Sequence, residues 1–381
     1  MKAQAPCWVV KVGSAMITNH GAGLAQDHLQ AWAGQIAVLI RQDYQLVLVS
    51  SGAVAVGMQR MGWQQRPTAL PDLQAAAAVG QAGLVRAWEQ AFRQRDLVTA
   101  QVLLTHDDLS DRRRYLNARS NLLTLLRLGV VPIINENDVV ANDELRFGDN
   151  DTLAALVTNL LAADKMILLT DQDGLYTTDP RQQPDAELIR AAAAHDPQLD
   201  QFASPQGGQL GRGGMFTKIR AARLASRSGA DTVIASGVQP NLLPELAQGV
   251  AHGTLLRAEQ MPETARKRWL AGQLQVAGCL MLDAGAADRL RRAGTSLLAV
   301  GIVAVSGTFK RGELVACVDG AGQEVARGLV NYAAAEIQQL CGHSSANIAS
   351  LLGYVNEEEM IHRDNLVLTC HRPEQVMRDA D

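Results

Sequence analysis

VVPIINENDVVANDELRFGDNDTLAAL, from Val130 to Leu156, opens as a short apolar run and closes as an apolar stretch with helical spacing. A β-branched run that feeds an apolar helix through a polar connector is the repeating unit of a parallel sheet covered by helices. A connector that only turns the chain uses Gly, Pro and Ser. This one carries Asn135, Asn137, Asp138, Asp149, Asn150 and Asp151, so it is either a solvated acidic loop or a place where a ligand is held.

The same unit recurs outward from this stretch. WVVKV at residues 8–12, LVLVS at 46–50, MILLT at 166–170 and TVIAS at 232–236 read as buried strands beside VVPII at 130–134. Between them, DHLQAWAGQIAVLIRQ places Leu29, Trp32, Ile36, Leu39 and Ile40 on one helical face, and DTLAALVTNLLAAD is a helix that Asp151 is positioned to cap. The expected fold class is α/β, a mostly parallel sheet sandwiched by helices. In such folds ligands bind beyond the carboxyl ends of the strands.

The texture changes near residue 259. EQMPETARKRWLAGQ reads as a charged linker, and SLLAVGIVAVSGTFKRGELVACVDGAGQEVARGLV after it is strand-rich and punctuated by Gly turns, as in a small β-rich domain. The expected division is residues 1–258, a linker at 259–274, the small domain at 275–356 and a tail at 357–381. The formal net charge of −4, and 12 Lys and Arg against 13 Asp and Glu from Ala265 onward, give no basic field for nucleic acid or an anionic membrane. Five scattered cysteines without a CxxC pair argue for reduced thiols, and Lys11 interrupts the only early apolar run, so a soluble cytoplasmic protein is expected.

Four more polar segments leave strands or enter helices. KVGSA puts Lys11 near a strand end with Gly13 and Ser14 beyond it; such a lysine faces either a ligand or solvent. SSGAVAVG offers Ser51 and Gly52 at a helix start, suited to an anion or to close helix packing. LLTDQDGLYTTDP places Thr170 and Asp171 at a strand end before turn signals. GGQLGRGGMFTKIRAA is a glycine-rich loop feeding a helix near Thr217 and Lys218, physically a phosphate cradle but not a Walker A loop, because the chain contains no Gly-Lys pair. No metal site is expected: the INEND spacing does not match an EF-hand, and no His joins it. Two lysines, an amide-rich loop and no activated Cys or His suit phosphoryl transfer, which depends on positioning and charge neutralisation.

The ordered set KVGSA, SSGAVAVG, INENDVV, GDND, LLTDQDGLYTTDP and GRGGMFTK resembles the amino acid kinase family, and within it the branch that phosphorylates the glutamate γ-carboxylate with ATP at the start of proline biosynthesis. GTFKRGELV, LGYV and MIHRDN resemble the PUA domain of that branch. The resemblance implies that Lys11 and Lys218 neutralise the transferring phosphoryl group while Asp151 holds both, and that Ser51, Asp138 and Asn150 bind glutamate. It also implies that Lys11, Gly13, Thr170, Asp171, Arg212, Gly213, Gly214, Met215, Phe216, Thr217 and Lys218 bind ATP, with Mg2+ on the phosphates, Gly52 aiding backbone approach, proline as a feedback inhibitor and a homodimer or homotetramer. Arg212 stands where the family has a small hydroxyl residue and Phe216 where it has a small one, which bears on nucleotide affinity. The alternatives are a kinase for another small carboxylate, aspartate or N-acetylglutamate, and an RNA-binding protein acting through the PUA-like domain; balanced charge and 4% aromatic content weigh against the second.

Overall fold

The computed structural model describes residues 5–18, 23–141, 150–181, 183, 185–202, 214–258, 276–293 and 295–369. The strands of the first part are β1 (Cys7–Val12), β2 (Gln45–Ser50), β3 (Thr99–Leu104), β4 (Val131–Glu136), β5 (Lys165–Thr170), β6 (Ala191–Ala193), β7 (Asp231–Ser236) and β8 (Thr254–Arg257). They form one sheet in the order β3-β4-β2-β1-β5-β7-β8-β6, with only the β7–β8 pair antiparallel. The five strands expected from their apolar runs are all present and nearly wholly buried. β3, β6 and β8 lack such runs.

β1 lies between β2 and β5, so the chain leaves it in one direction for β2 and returns on its other side with β5. That reversal opens a crevice at the carboxyl end of β1. Side chains alternate across the sheet. Trp8, Val10 and Val12 enter one core with Leu29, Trp32 and Ile36 of the helix Gln26–Ile40 and with Trp88 and Phe92 of the helix Leu70–Arg93. Cys7 and Val9 enter the other, with Leu153, Val157 and Leu160 of the helix Asn150–Leu161 and Ile219 of the helix Met215–Ala225. The pleat therefore puts Lys11 on the Cys7 and Val9 face, toward the Asn150 helix. This helix does not use Asp151 as its N-cap: its first residue is Asn150, and Asp151 lies inside the first turn.

The helices Ala53–Arg60 and Leu70–Arg93 cross almost backbone to backbone. A Cβ on Gly57 would stand 1.8 Å from the Ala76 carbonyl oxygen, and one on Gly80 would stand 1.8 Å from that of Ala53. SSGAVAVG is thus partly a packing motif: Gly57 is required by the neighbouring helix and Gly52 by its φ of 99°.

Chain contacts divide the protein into Met1–Ala265 and Arg266–Asp381. The second unit holds β9 (Gly278–Leu282), β10 (Ile302–Gly307), β11 (Leu314–Val318), β12 (Glu324–Leu329) and β13 (Leu366–Leu368), in the order β10-β9-β11-β12-β13. Its core gathers Leu280, Phe309, Val315, Tyr332, Ile337, Met360 and Ile361. The buried Tyr332 hydroxyl donates to the Glu357 carbonyl at 2.6 Å and accepts N–H bonds from Asn356 and Glu357. Residues 357–369 are accordingly not a tail: Met360 and Ile361 are fully buried and β13 pairs antiparallel with β12. The expected linker at 259–274 and the end of the chain from residue 370 lie outside the described residues. Among the described residues, no helix is long and apolar enough to cross a membrane.

Gly80→Ala must drive the two helices apart, because the clash is with backbone rather than with a movable side chain. Urea unfolding should show a loss of about 1–3 kcal/mol or more. Gly320→Ala, where a Cβ meets nothing within 4 Å, should stay within about 0.5 kcal/mol.

Candidate functional site

At the crevice, one carboxylate gathers two cations. Asp151, fully buried, places Oδ1 2.6 Å from Lys11 Nζ at the end of β1 and Oδ2 3.2 Å from Lys218 Nζ in the first turn of the helix Met215–Ala225. Both lysines are themselves buried. The Thr217 hydroxyl lies 2.8 Å from Asp151 Oδ2 and 2.8 Å from the Gly214 carbonyl, and its single proton serves one acceptor at a time. Burial alone would push the Asp151 carboxyl up. The two ammonium charges, with hydrogen bonds from Lys11 and Thr217, outweigh it and hold the group well below the usual carboxylate range. Its place in the first turn of a helix favours the anion as well.

Beside this cluster lies a network of buried amides and hydroxyls. Asn150 Nδ2 is 2.8 Å from Ser51 Oγ, 2.9 Å from Asn135 Oδ1 and 3.3 Å from the Ser50 carbonyl. Both of its N–H groups are therefore engaged, while Asn150 Oδ1 is buried without a partner. Asn135 Oδ1 also accepts from the Glu136 backbone N–H, and Asn135 Nδ2 donates to Gln81 Oε1 at 2.7 Å. Trp88 Nε1 donates to Ser50 Oγ and so fixes the end of β2. Asp138 is buried in the turn after β4, and its backbone carbonyl accepts from Gln74 Nε2 at 3.1 Å. A buried acceptor without a donor is costly unless a ligand completes it.

The other side of the crevice is more open. Thr170, at the end of β5, donates to Asp171 Oδ1 at 3.1 Å, and Asp171 is exposed. Gly13 follows β1 with an ordinary φ of −71°, and a Cβ there would meet nothing closer than the Leu169 carbonyl at 3.7 Å. The chain itself does not require glycine at that position, and the room it leaves adjoins Lys11. Gly214 is the N-cap of the Lys218 helix, which begins at Met215, two residues earlier than its sequence suggests. Phe216 is 50% exposed, and the Lys218–Asp151 pair forms beside it, so its ring does not crowd the lysine. Arg212 and Gly213 lie outside the described residues.

The sequence that forms these strand ends, with their two lysines on one aspartate, matches a known family. The sequence profile of the amino acid kinase family fits residues 6–236. The chain belongs to the amino acid kinase family. Residues 278–352 match the PUA domain. Among curated relatives, the glutamate 5-kinase of Alcanivorax borkumensis is 60% identical over 95% of this chain and 96% of its own length. The glutamate 5-kinase of Halorhodospira halophila is 59% identical over 96% of this chain and 98% of its own length. Both spans take in the kinase and PUA portions alike, so this amino acid kinase shares the two-part organisation of those relatives.

The structure brings Lys11, Asp151, Thr217 and Lys218 into one cluster, and Ser51 and Asn150 into the adjoining network. Sequence reasoning missed Gln74 and Gln81. Each is a lone polar residue on an amphipathic helix, and only a register with the amide-rich loop would have singled it out.

Asp151→Asn in this amino acid kinase removes the carboxylate that two buried ammonium groups share and should cost roughly 3–5 kcal/mol at neutral pH. The folded-state pKa of Asp151 is depressed. Its stabilisation is therefore complete above the unfolded value of about 3.9 and is lost as pH falls toward the folded one. Denaturation at a series of pH values should show the gap between the two proteins narrowing below about pH 4; a gap independent of acid would contradict the ion cluster.

Proposed function

We propose that this chain transfers the γ-phosphoryl group of ATP to the γ-carboxylate of L-glutamate, forming L-glutamyl 5-phosphate for proline biosynthesis. The observation that carries this reading is the pair of buried lysines on Asp151, set beside the amide pocket that contains Asn150. The naming of the relatives as glutamate 5-kinases accords with it.

The chemistry needs no general base. A glutamate γ-carboxylate, with a reference pKa of about 4.3, is already ionised at neutral pH. One of its oxygens forms a bond to the γ-phosphorus, the bond from that phosphorus to the β,γ-bridging oxygen breaks, and ADP leaves with the electron pair. The obstacle is the approach of two anions. Lys11 and Lys218 offset it, and Asp151 fixes the two ammonium groups so that no reorganisation is needed when charge shifts. Gly13, Gly52, Thr170, Asp171 and the segment from Arg212 to Lys218 accommodate the nucleotide. The Mg2+ that accompanies ATP would neutralise part of the charge on its phosphates.

The acceptor is held by its other end. Asp138 suits the α-ammonium group and the Ser51 hydroxyl suits the α-carboxylate, while the unfilled Asn150 Oδ1 adds an acceptor that an ammonium group satisfies. N-acetylglutamate lacks the ammonium and would leave the buried Asn150 Oδ1 unfilled. Aspartate is one methylene too short to reach the phosphorus while so held. Proline carries both an α-carboxylate and a ring ammonium and would compete for the same contacts.

Purified protein incubated with ATP, Mg2+ and hydroxylamine should form hydroxamate with glutamate and far less with aspartate or N-acetylglutamate. Equal signal from all three, or none, would overturn the assignment. Lys11→Ala and Lys218→Ala should each lower turnover on the order of 100- to 1,000-fold while leaving the circular dichroism spectrum unchanged; near-normal rates would remove them from the mechanism.

A further inference from the structure

The helix Leu70–Arg93 touches the candidate site twice, through glutamines seven residues apart. Seven residues are about two turns, so both side chains leave the same helix face. At one end, Gln74 Nε2 donates to the backbone carbonyls of Asp138 and Val139, at 3.1 and 3.3 Å. At the other, Gln81 Oε1 accepts from Asn135 Nδ2 at 2.7 Å, and Asn135 Oδ1 in turn accepts from Asn150 Nδ2 at 2.9 Å. The two contacts have opposite polarity: Gln74 acts as a donor and Gln81 as an acceptor.

We propose that Gln74 and Gln81 are positioning residues for the amino-acid subsite, clamping the end of β4 and the turn after it from one rigid helix so that Asp138 and Asn150 meet the acceptor substrate in a single orientation. The inference rests on the glutamate-kinase reading of the site. Gln81 engages the Asn135 amide by its nitrogen, which leaves the Asn135 oxygen for Asn150 and for the Glu136 N–H. With both of its N–H groups so engaged, Asn150 has its carbonyl oxygen left over, and that atom is buried without a partner. Reversing an amide in this chain opposes like groups: Gln81 alone sets nitrogen against Asn135 Nδ2, and Asn150 alone sets oxygen against Asn135 Oδ1 and the Ser50 carbonyl. Gln74 acts on the backbone: it holds the carbonyls of the turn whose side chain, Asp138, lies buried at the site. Its helix is itself held at fixed distance by the Gly57 and Gly80 contacts, so the clamp has a rigid base. Both glutamines bond to β4 or the turn after it, on the amino-acid side of the site, so the nucleotide side should not register their loss.

The opposite polarities supply a crossed test. Gln81→Glu keeps the acceptor, while Gln81→Lys offers only donors; Gln74→Lys keeps a donor, while Gln74→Glu offers only acceptors. Steady-state kinetics on the full chain, by hydroxamate formation, would give KM for glutamate and for ATP separately. Gln81→Lys and Gln74→Glu should raise the glutamate KM about tenfold, with Gln81→Glu and Gln74→Lys within about threefold of the unaltered protein. The ATP KM and the melting temperature should hold in all four. Charge acting through space predicts another pattern, because both lysine variants would then draw the anionic substrate in and both glutamate variants would repel it. That uncrossed pattern, or a rise in the ATP KM matching that for glutamate, would overturn the inference. Gln74→Met and Gln81→Met add no charge and secure the test if a charged variant fails to fold: both should raise the glutamate KM, and unchanged values would overturn the clamp. If the unaltered protein itself yields no glutamate-dependent hydroxamate, the functional reading fails and the inference falls with it. A normal unaltered protein with an uncrossed series fails the clamp alone.

Discussion

The site depends on burying one carboxylate between two ammonium groups. Asp151 is wholly enclosed and both lysines nearly so. Placing three charges in so dry a place is expensive unless they satisfy one another. The sheet supplies the first partner by pleat alone, because Lys11 falls on the β1 face that looks toward the Asn150 helix. The helix Met215–Ala225 supplies the second from its first turn. Two ammonium groups thus meet on one carboxylate at the end of the central strand. An anion is the natural complement, and a transferring phosphoryl group is an anion whose charge moves during reaction. The same arrangement thus keeps the fold from paying for unpaired ions and sets two cations where phosphoryl transfer needs them.

Next to the ion cluster, the amide network works by a different rule. Charges there are few, and selectivity comes from which hydrogen-bonding positions are already filled. Asn150 donates twice within the protein and keeps an unfilled oxygen. The nearby helix, held by backbone contact at Gly57 and Gly80, constrains the end of β4 that carries Asn135 and the turn after it that carries Asp138. Rigid supports for a polar pocket convert a weak preference among amino acids into a firm one, since a misfit ligand leaves buried groups unpaired.

Much of this was legible in the sequence because strands buried on both faces announce themselves as unbroken apolar runs, and polar residues directly after them stand out. Lys11, Ser51, Asp138 and Thr170 stand out in this way. β3 and β6 escaped because an edge strand such as TAQVLL or AAA has no such run. Asp151 by itself reads as a helix cap because Asp before an apolar helix usually is one; only the motif resemblance points to the lysines, and their tertiary approach gives it that task. Glu357, Glu358 and Glu359 resemble a solvated end, yet they precede the buried Met360 and Ile361. Gln74 and Gln81 could not be distinguished from solvent-facing glutamines, since their partners come from a segment more than fifty residues away.

The most direct test of the account follows an oxygen atom. L-glutamate labelled with 18O in its γ-carboxylate would be turned over with unlabelled ATP, and the acyl phosphate then cleaved by hydroxylamine at the carbonyl carbon. If the two lysines bring a carboxylate oxygen onto the γ-phosphorus, the inorganic phosphate released in step with hydroxamate carries one 18O atom. Phosphate free of label would mean that water, and not the substrate carboxylate, attacks the nucleotide, and would contradict the mechanism drawn from the site.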